Sequence, residues 1–162
     1  MMGAAAEGAP DAARFVRLFA EGWAGPSPEK LMDLLDDRIR LVQPIFAPSI
    51  GRDAAAARFF RPLLRFMPDV RLEVRRWSAS GDVVFIEWTA SGTLSGQKLT
   101  WSGVDRLILS NGRAVERVAY FDSMPLLVET LRRPSRWLAF WRSGIGRPFR
   151  AMFRGASRPV SQ

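Results

Sequence analysis

Residues 101–126, WSGVDRLILSNGRAVERVAYFDSMPL, constrain the chain most, because they read as a complete β-hairpin with acidic residues set into otherwise apolar strands. Side chains alternate along an extended strand, so Trp101, Gly103, Asp105, Leu107 and Leu109 share one face, and Ser110-Asn111-Gly112 supplies an Asn-Gly turn that reverses the chain. Read with the same period, the return strand sets Val118, Tyr120 and Asp122 on one face. A carboxylate on a buried strand face is unfavourable unless hydrogen-bonded or neutral, so two of them point to a polar spot inside a pocket. The alternatives are that one or both face solvent or pair with an arginine. Asp122, directly before Ser123-Met124-Pro125, also has the position to cap a short helix running to Leu131.

Upstream, Asp11 is placed to cap a first helix to about Gly25, with Ala12, Phe15, Val16, Phe19 and Trp23 at helical spacing. Ser27-Pro28 reads as an N-cap and first helical position, opening a short helix that ends near Asp37. Arg38 to Gln43 is a predicted strand cut by Pro44. After a loop, Arg52-Asp53 opens a third helix through Phe66, with Phe59, Phe60, Leu63 and Leu64 on its buried side. Four strands are then predicted: Val70 to Ala79, Val83 to Gly92, Lys98 to Leu109 and Ala114 to Asp122. Helices first and a strand meander second indicate an α+β domain with the helices packed on one face of a sheet.

The absence of His and Cys removes disulfides, thiol chemistry, the commonest metal ligand and the usual general base, so no metal site or cofactor is expected. Any proton transfer must rest on Asp, Glu, Tyr, Lys or water. The net charge of +8 is unevenly distributed: from Leu131 onward there are eight Arg and no acidic residue, leaving sixteen residues of each sign in the first 130. A nucleic-acid partner is therefore not expected of the domain. Residues 1–9 are expected to form a flexible N-terminus, 10–131 the domain, and 132–162 an Arg-rich amphipathic tail in which Trp137, Phe140 and Trp141 lie among the arginines. That tail suits docking on its own domain or a partner, contact with an anionic membrane surface, or phosphate binding. The first residues lack the basic start and apolar run of a signal peptide, and no apolar run reaches membrane-spanning length, so a cytoplasmic protein, peripheral to a membrane at most, is expected.

The first helix, the Leu41-Val-Gln-Pro44 strand end, the Gly51-Arg-Asp-Ala54 helix start and the closing Asn111-to-Asp122 strand, in that order, resemble the SnoaL-like members of the nuclear transport factor 2 superfamily over roughly residues 10–130. The resemblance implies a cone: a curved antiparallel sheet wrapped around N-terminal helices, with a pocket at the open end. Among relatives, ketosteroid isomerases use an Asp base at the early strand end and a neutral Asp in the long strand. Those positions correspond here to Gln43 and Asp105. Tyr120-Phe121-Asp122 resembles the ending of limonene epoxide hydrolase, whose Arg and first Asp would fall near Trp88 and Ala90. SnoaL polyketide cyclases place an acid/base Asp at the Asp122 position.

The expected pocket has Trp88, Trp101, Val118 and Tyr120 as walls and Gln43, Asp105 and Asp122 as polar groups, a design suited to a small hydrophobic ligand. Asp105 and Asp122 are the candidate catalytic pair, Asp105 donating a hydrogen bond and Asp122 acting as base. An isomerase, cyclase or epoxide hydrolase on a small oxygenated substrate is the first expectation, and a non-catalytic binding domain for a lipid-like ligand is the second. Glu87 and Arg106 are expected to pair across strands on the opposite face. There Phe85, Val104, Ile108 and Phe121 would form an apolar convex surface for a homodimer.

Overall fold

The computed structural model describes residues 9–94 and 96–132, so the expectations for residues 1–9 and 132–162 lie, but for Ala9 and Arg132, outside the described residues. Helices come first and the meander second, and the domain is α+β as expected. The helix α1 (Ala9–Ala24) buries Ala12, Phe15, Val16, Phe19 and Trp23, the stripe its sequence spacing selects. It starts before Asp11, which sits in the first turn, where a carboxylate meets the positive helix end, and is not the cap. In α2 (Pro28–Met32) Ser27 Oγ accepts the Lys30 N–H at 3.3 Å.

That helix stops at Met32, short of Asp37, because the sheet takes the next residues. Leu34 O accepts the Ala114 N–H at 2.9 Å, and β1 (Leu35–Val42) begins three residues before the predicted strand, with Leu35, Ile39 and Leu41 buried. The third predicted helix is present but not uniform. It comprises α3 (Arg52–Ala55), a π turn (Ala56–Phe60) and α4 (Arg61–Phe66). Pro62 cannot donate to Arg58 and would crowd its carbonyl, and the wide turn just before it relieves that conflict while burying Phe59 and Phe60 together.

After the two-residue β2 (Ser49–Ile50) and these helices come β3 (Arg71–Ser80), β4 (Val83–Leu94), β5 (Gln97–Ser110) and β6 (Arg113–Phe121), paired antiparallel in sequence order. The sheet order is β2-β1-β6-β5-β4-β3, and β1 runs parallel to β6. The curved sheet is therefore mixed rather than wholly antiparallel. Asn111 and Gly112 both adopt positive φ (52° and 72°), as the twist-compatible hairpin turn requires. A final helix, α5 (Met124–Leu131), follows β6. No helix among the described residues is long and apolar enough to cross a membrane.

One irregularity decides which side chains of β6 face the core. Ile108 pairs with Glu116 but Leu109 pairs with Ala114, so Val115 is an extra residue and the strand carries a bulge. Ala114 points inward before it, and Arg117, Ala119 and Phe121 line the interior after it. Val118 and Tyr120, expected inside, therefore lie on the outer face, where Tyr120 is 56% exposed. The same shift moves Phe121 off the outer surface and against Trp88, with ring centroids 5.8 Å apart. Glu87 and Arg106 do not pair with each other. Glu87 bridges to Arg76 at 2.7 Å and Arg106 to Glu116, which Arg40 also reaches at 3.2 Å.

Two details set the interior. Gly103 sits opposite Trp88, and a Cβ there would lie 2.5 Å from the indole and 2.7 Å from the Tyr120 carbonyl oxygen. Asp69 Oδ1 accepts the Thr93 N–H at 2.9 Å, tying the chain before β3 to the end of β4. Hydrogen bonds from the Thr93 side chain and backbone hold the Asp69 carboxyl below its ordinary range. A lowered folded-state value stabilises the fold above the unfolded aspartate range of about 4, and this is lost as pH falls through the folded value.

Gly103→Ala should destabilise the domain by about 1–3 kcal/mol in urea denaturation. Gly25→Ala, which opens onto free space, should stay within about 0.5 kcal/mol of wild type. The stability gap between wild type and Asp69→Asn should narrow as the pH is taken from neutral to well below the aspartate range. A gap independent of pH would remove the carboxylate from the account.

Candidate functional site

Between the sheet and α5 lies an enclosed, almost wholly apolar cavity of about 70 Å³. Its floor is Trp88, Ala90, Trp101, Ala119 and Phe121 from the sheet, its side is Trp23, Phe59, Leu63 and Phe66 from the helices, and its lid is Leu126, Leu127 and Thr130 of α5. Gln43, Ile45 and Phe46 close the remaining side just past β1. Ile45 holds φ at 61°, a conformation unfavourable for a β-branched residue, and that turn brings both Gln43 and Phe46 onto the wall.

The polar element of the wall is an arginine that strand periodicity alone does not place inside. Arg117 is buried at 4% exposure, and its Nε donates to Asp105 Oδ2 at 2.7 Å, the carboxylate being fully buried. Its guanidinium carbon lies 5.6, 5.5 and 5.8 Å from the ring centroids of Phe19, Trp23 and Phe59. Two desolvated charges and three aromatic faces thus compensate one another. The pair is diagonal on the β5–β6 ladder, since Asp105 is opposite Ala119 and Leu107 opposite Arg117. Asp105 is therefore a hydrogen-bond acceptor from an arginine, not the donor expected from sequence.

Asp105 lies behind the wall, in contact with Arg117, while Gln43, Trp88 and Trp101 line the cavity itself. Val118 and Tyr120 do not, for the reason the bulge supplies. Asp122 is exposed, and its Oδ1 accepts the Met124 N–H at 2.9 Å, anchoring the start of α5. The two carboxylates are thus not brought to one chamber. Sequence reading missed Arg117, Trp23, Phe59 and Phe121 as neighbours of the cavity. The one signal pointing to Arg117 was a basic residue between Glu116 and Val118 on the strand paired with the one that carries Asp105.

On the wall, the buried nitrogens Gln43 Nε2 and Trp88 Nε1 have no protein partner among the described residues. The Thr130 hydroxyl is satisfied locally, donating to Leu126 O at 2.7 Å. Chemically, the chamber is an apolar shell suited to a small, largely apolar molecule. At about 70 Å³ it is smaller than the ~300–1,000 Å³ typical of ligand pockets.

The family model for the SnoaL-like domain matches residues 13–117. A putative SnoaL-like polyketide cyclase from Jannaschia sp. CCS1 superposes with a TM-score of 0.66 at 20% identity, over 77% of this chain and 94% of that one. An NTF2-like protein of unknown function from Burkholderia pseudomallei K96243 gives 0.67 at 21% identity, over 73% and 95%. An epoxide hydrolase of the limonene-epoxide-hydrolase-like type from Mycobacterium tuberculosis gives 0.62 at 18% identity, over 80% and 96%. At these identities the likeness is one of fold. No curated protein matches the sequence.

Arg117→Met strands a buried carboxylate and should lower the unfolding free energy by about 3–5 kcal/mol, whereas Arg117→Met combined with Asp105→Leu should recover most of that loss. A double-mutant cycle by urea denaturation checks this. A double-variant loss equal to the sum of the Arg117→Met and Asp105→Leu single losses would show that the two side chains are uncoupled.

Proposed function

The chain belongs to the SnoaL-like domain family, and on that premise we propose that it binds a small, largely apolar molecule in the chamber between sheet and α5, without two-carboxylate proton transfer. The observation that carries this reading is the separation of the acids. Asp122 holds the start of α5 at the surface, and Asp105 is committed to Arg117 behind the wall. A general base must reach the proton it removes, and neither carboxylate lines the cavity. The aromatic and aliphatic shell, with a few buried donors, is the usual composition of a binding site for such a ligand.

Fold neighbours include a putative cyclase and an epoxide hydrolase, so a catalytic second reading stands on one feature, the buried Arg117 beside the chamber. In that reading Arg117 would polarise a substrate oxygen and the Asp122 side chain would be dispensable. The proposal includes self-association through the outer face, where Phe85, Val104 and Tyr120 are exposed.

Native mass spectrometry of the full-length protein, gently purified, should detect a bound small molecule or uptake of one from an added apolar mixture. Ala119→Leu, which fills the chamber, should abolish uptake while remaining folded by circular dichroism. Asp122→Asn, whose amide oxygen can still accept the Met124 N–H, should retain it with little loss of stability. Uptake unaffected by Ala119→Leu would place the ligand elsewhere. If Asp122→Asn eliminated a turnover that wild type performs, the proton-transfer enzyme would be restored.

A further inference from the structure

The chamber accounts for one side of α5 only. We propose that the other side of this helix, with the arginine-rich residues 132–162, forms one docking surface for an anionic lipid membrane, whatever the chamber holds. Met124 and Val128 stand one helical turn apart on α5 and are 58% and 40% exposed, while Leu126, Leu127 and Thr130 of the same helix line the chamber. The helix thus shows apolar side chains on the side turned away from its own core. No helix among the described residues is long and apolar enough to cross a membrane, so the contact proposed is with a surface.

Charge and pattern select the partner. Residues 132–162 hold eight Arg and no acidic residue, whereas the first 130 hold sixteen residues of each sign. Among those acids Glu73, Glu87, Asp105 and Glu116 already pair with arginines of the sheet. A charge-balanced domain has no excess of negative charge to match eight further cations, and an anionic lipid surface has. Trp137, Trp141, Ile145, Phe149 and Phe153 recur at every fourth position, the spacing of one helix side, and at that period Arg136, Arg147, Arg150 and Arg154 fall on the other. Gly144, Gly146 and Pro148 divide the pattern into shorter stretches. Aromatic and aliphatic residues opposite arginines suit a segment lying in the plane of a lipid interface, with hydrocarbon on one side and anionic headgroups on the other. A nucleic-acid backbone would match the arginines alone and leave Leu138, Ile145 and Met152 without an apolar phase.

Co-sedimentation of the full-length protein with vesicles of phosphatidylcholine, alone or mixed with phosphatidylglycerol, tests this. The protein should pellet with the anionic vesicles, stay in solution with the neutral ones, and be released as sodium chloride is raised. Arg147→Gln with Arg150→Gln should weaken anionic binding about tenfold or more. Trp137→Ser with Trp141→Ser should weaken it about tenfold, and Met124→Ser with Val128→Ser about fivefold. All three double variants should keep the wild-type circular dichroism spectrum in the absence of lipid. Equal pelleting with both kinds of vesicle or with neither, or tighter retention by a duplex DNA oligonucleotide in the same buffer, overturns the proposal. Anionic binding left unchanged by the tryptophan pair or by the α5 pair also overturns it, since the apolar half of the surface would then be missing.

Discussion

A buried guanidinium on β6 is the constraint around which the rest of the domain is arranged. Arg117 must have a counter-charge, and Asp105 on the neighbouring strand supplies it. It must also have weakly polar surfaces to replace water, and Phe19 and Trp23 of α1 and Phe59 of the π turn supply those. The helices are therefore tied to the sheet at a point where apolar packing alone would specify orientation less sharply. A buried pair contributes little net stability against a well-packed apolar replacement, so its value lies in fixing geometry. Here it fixes α1, the π turn and β6 around one side of the chamber.

Much of this was legible in the sequence, and what was not has one main physical cause. Periodicity found the buried stripe of α1, the Asn-Gly turn and the meander, because those features are local. The family resemblance put Gln43 at a cavity, and the unbroken alternation of β4 and the first half of β5 accounts for Trp88 and Trp101 lying there too. On β6 the alternation fails. Counting outward from the turn without a bulge sets Asp105 opposite Val118, and the extra residue Val115 moves it opposite Ala119. A single inserted residue thus exchanges the faces of everything beyond it, sending Val118 and Tyr120 out and bringing Arg117 and Phe121 in. Nothing in local composition marks the bulge, because Val115 suits either position.

The remaining differences share a second cause, competition between elements distant in sequence. Leu34 and Leu35 fit a helix, but pairing with Ala114 draws them into the sheet, so α2 stops early. Asp122 fits both a catalytic role and a helix start, and it is the Met124 N–H that takes it. The candidate site is accordingly less a pair of acids than an apolar box. One side of it is closed by α5, the short helix whose start Asp122 holds.

The parallel seam between β1 and β6 has an implication for synthesis. Strand β1 can be hydrogen-bonded along that edge only when the last strand exists, about eighty residues later in the chain. During translation the aromatic stripe of α1 emerges long before its counterpart on the sheet, with Phe15, Phe19 and Trp23 lacking the surfaces they finally cover. Closure of the sheet along β1 thus waits for β6, and until then the apolar stripe of α1 lacks the surface it finally covers.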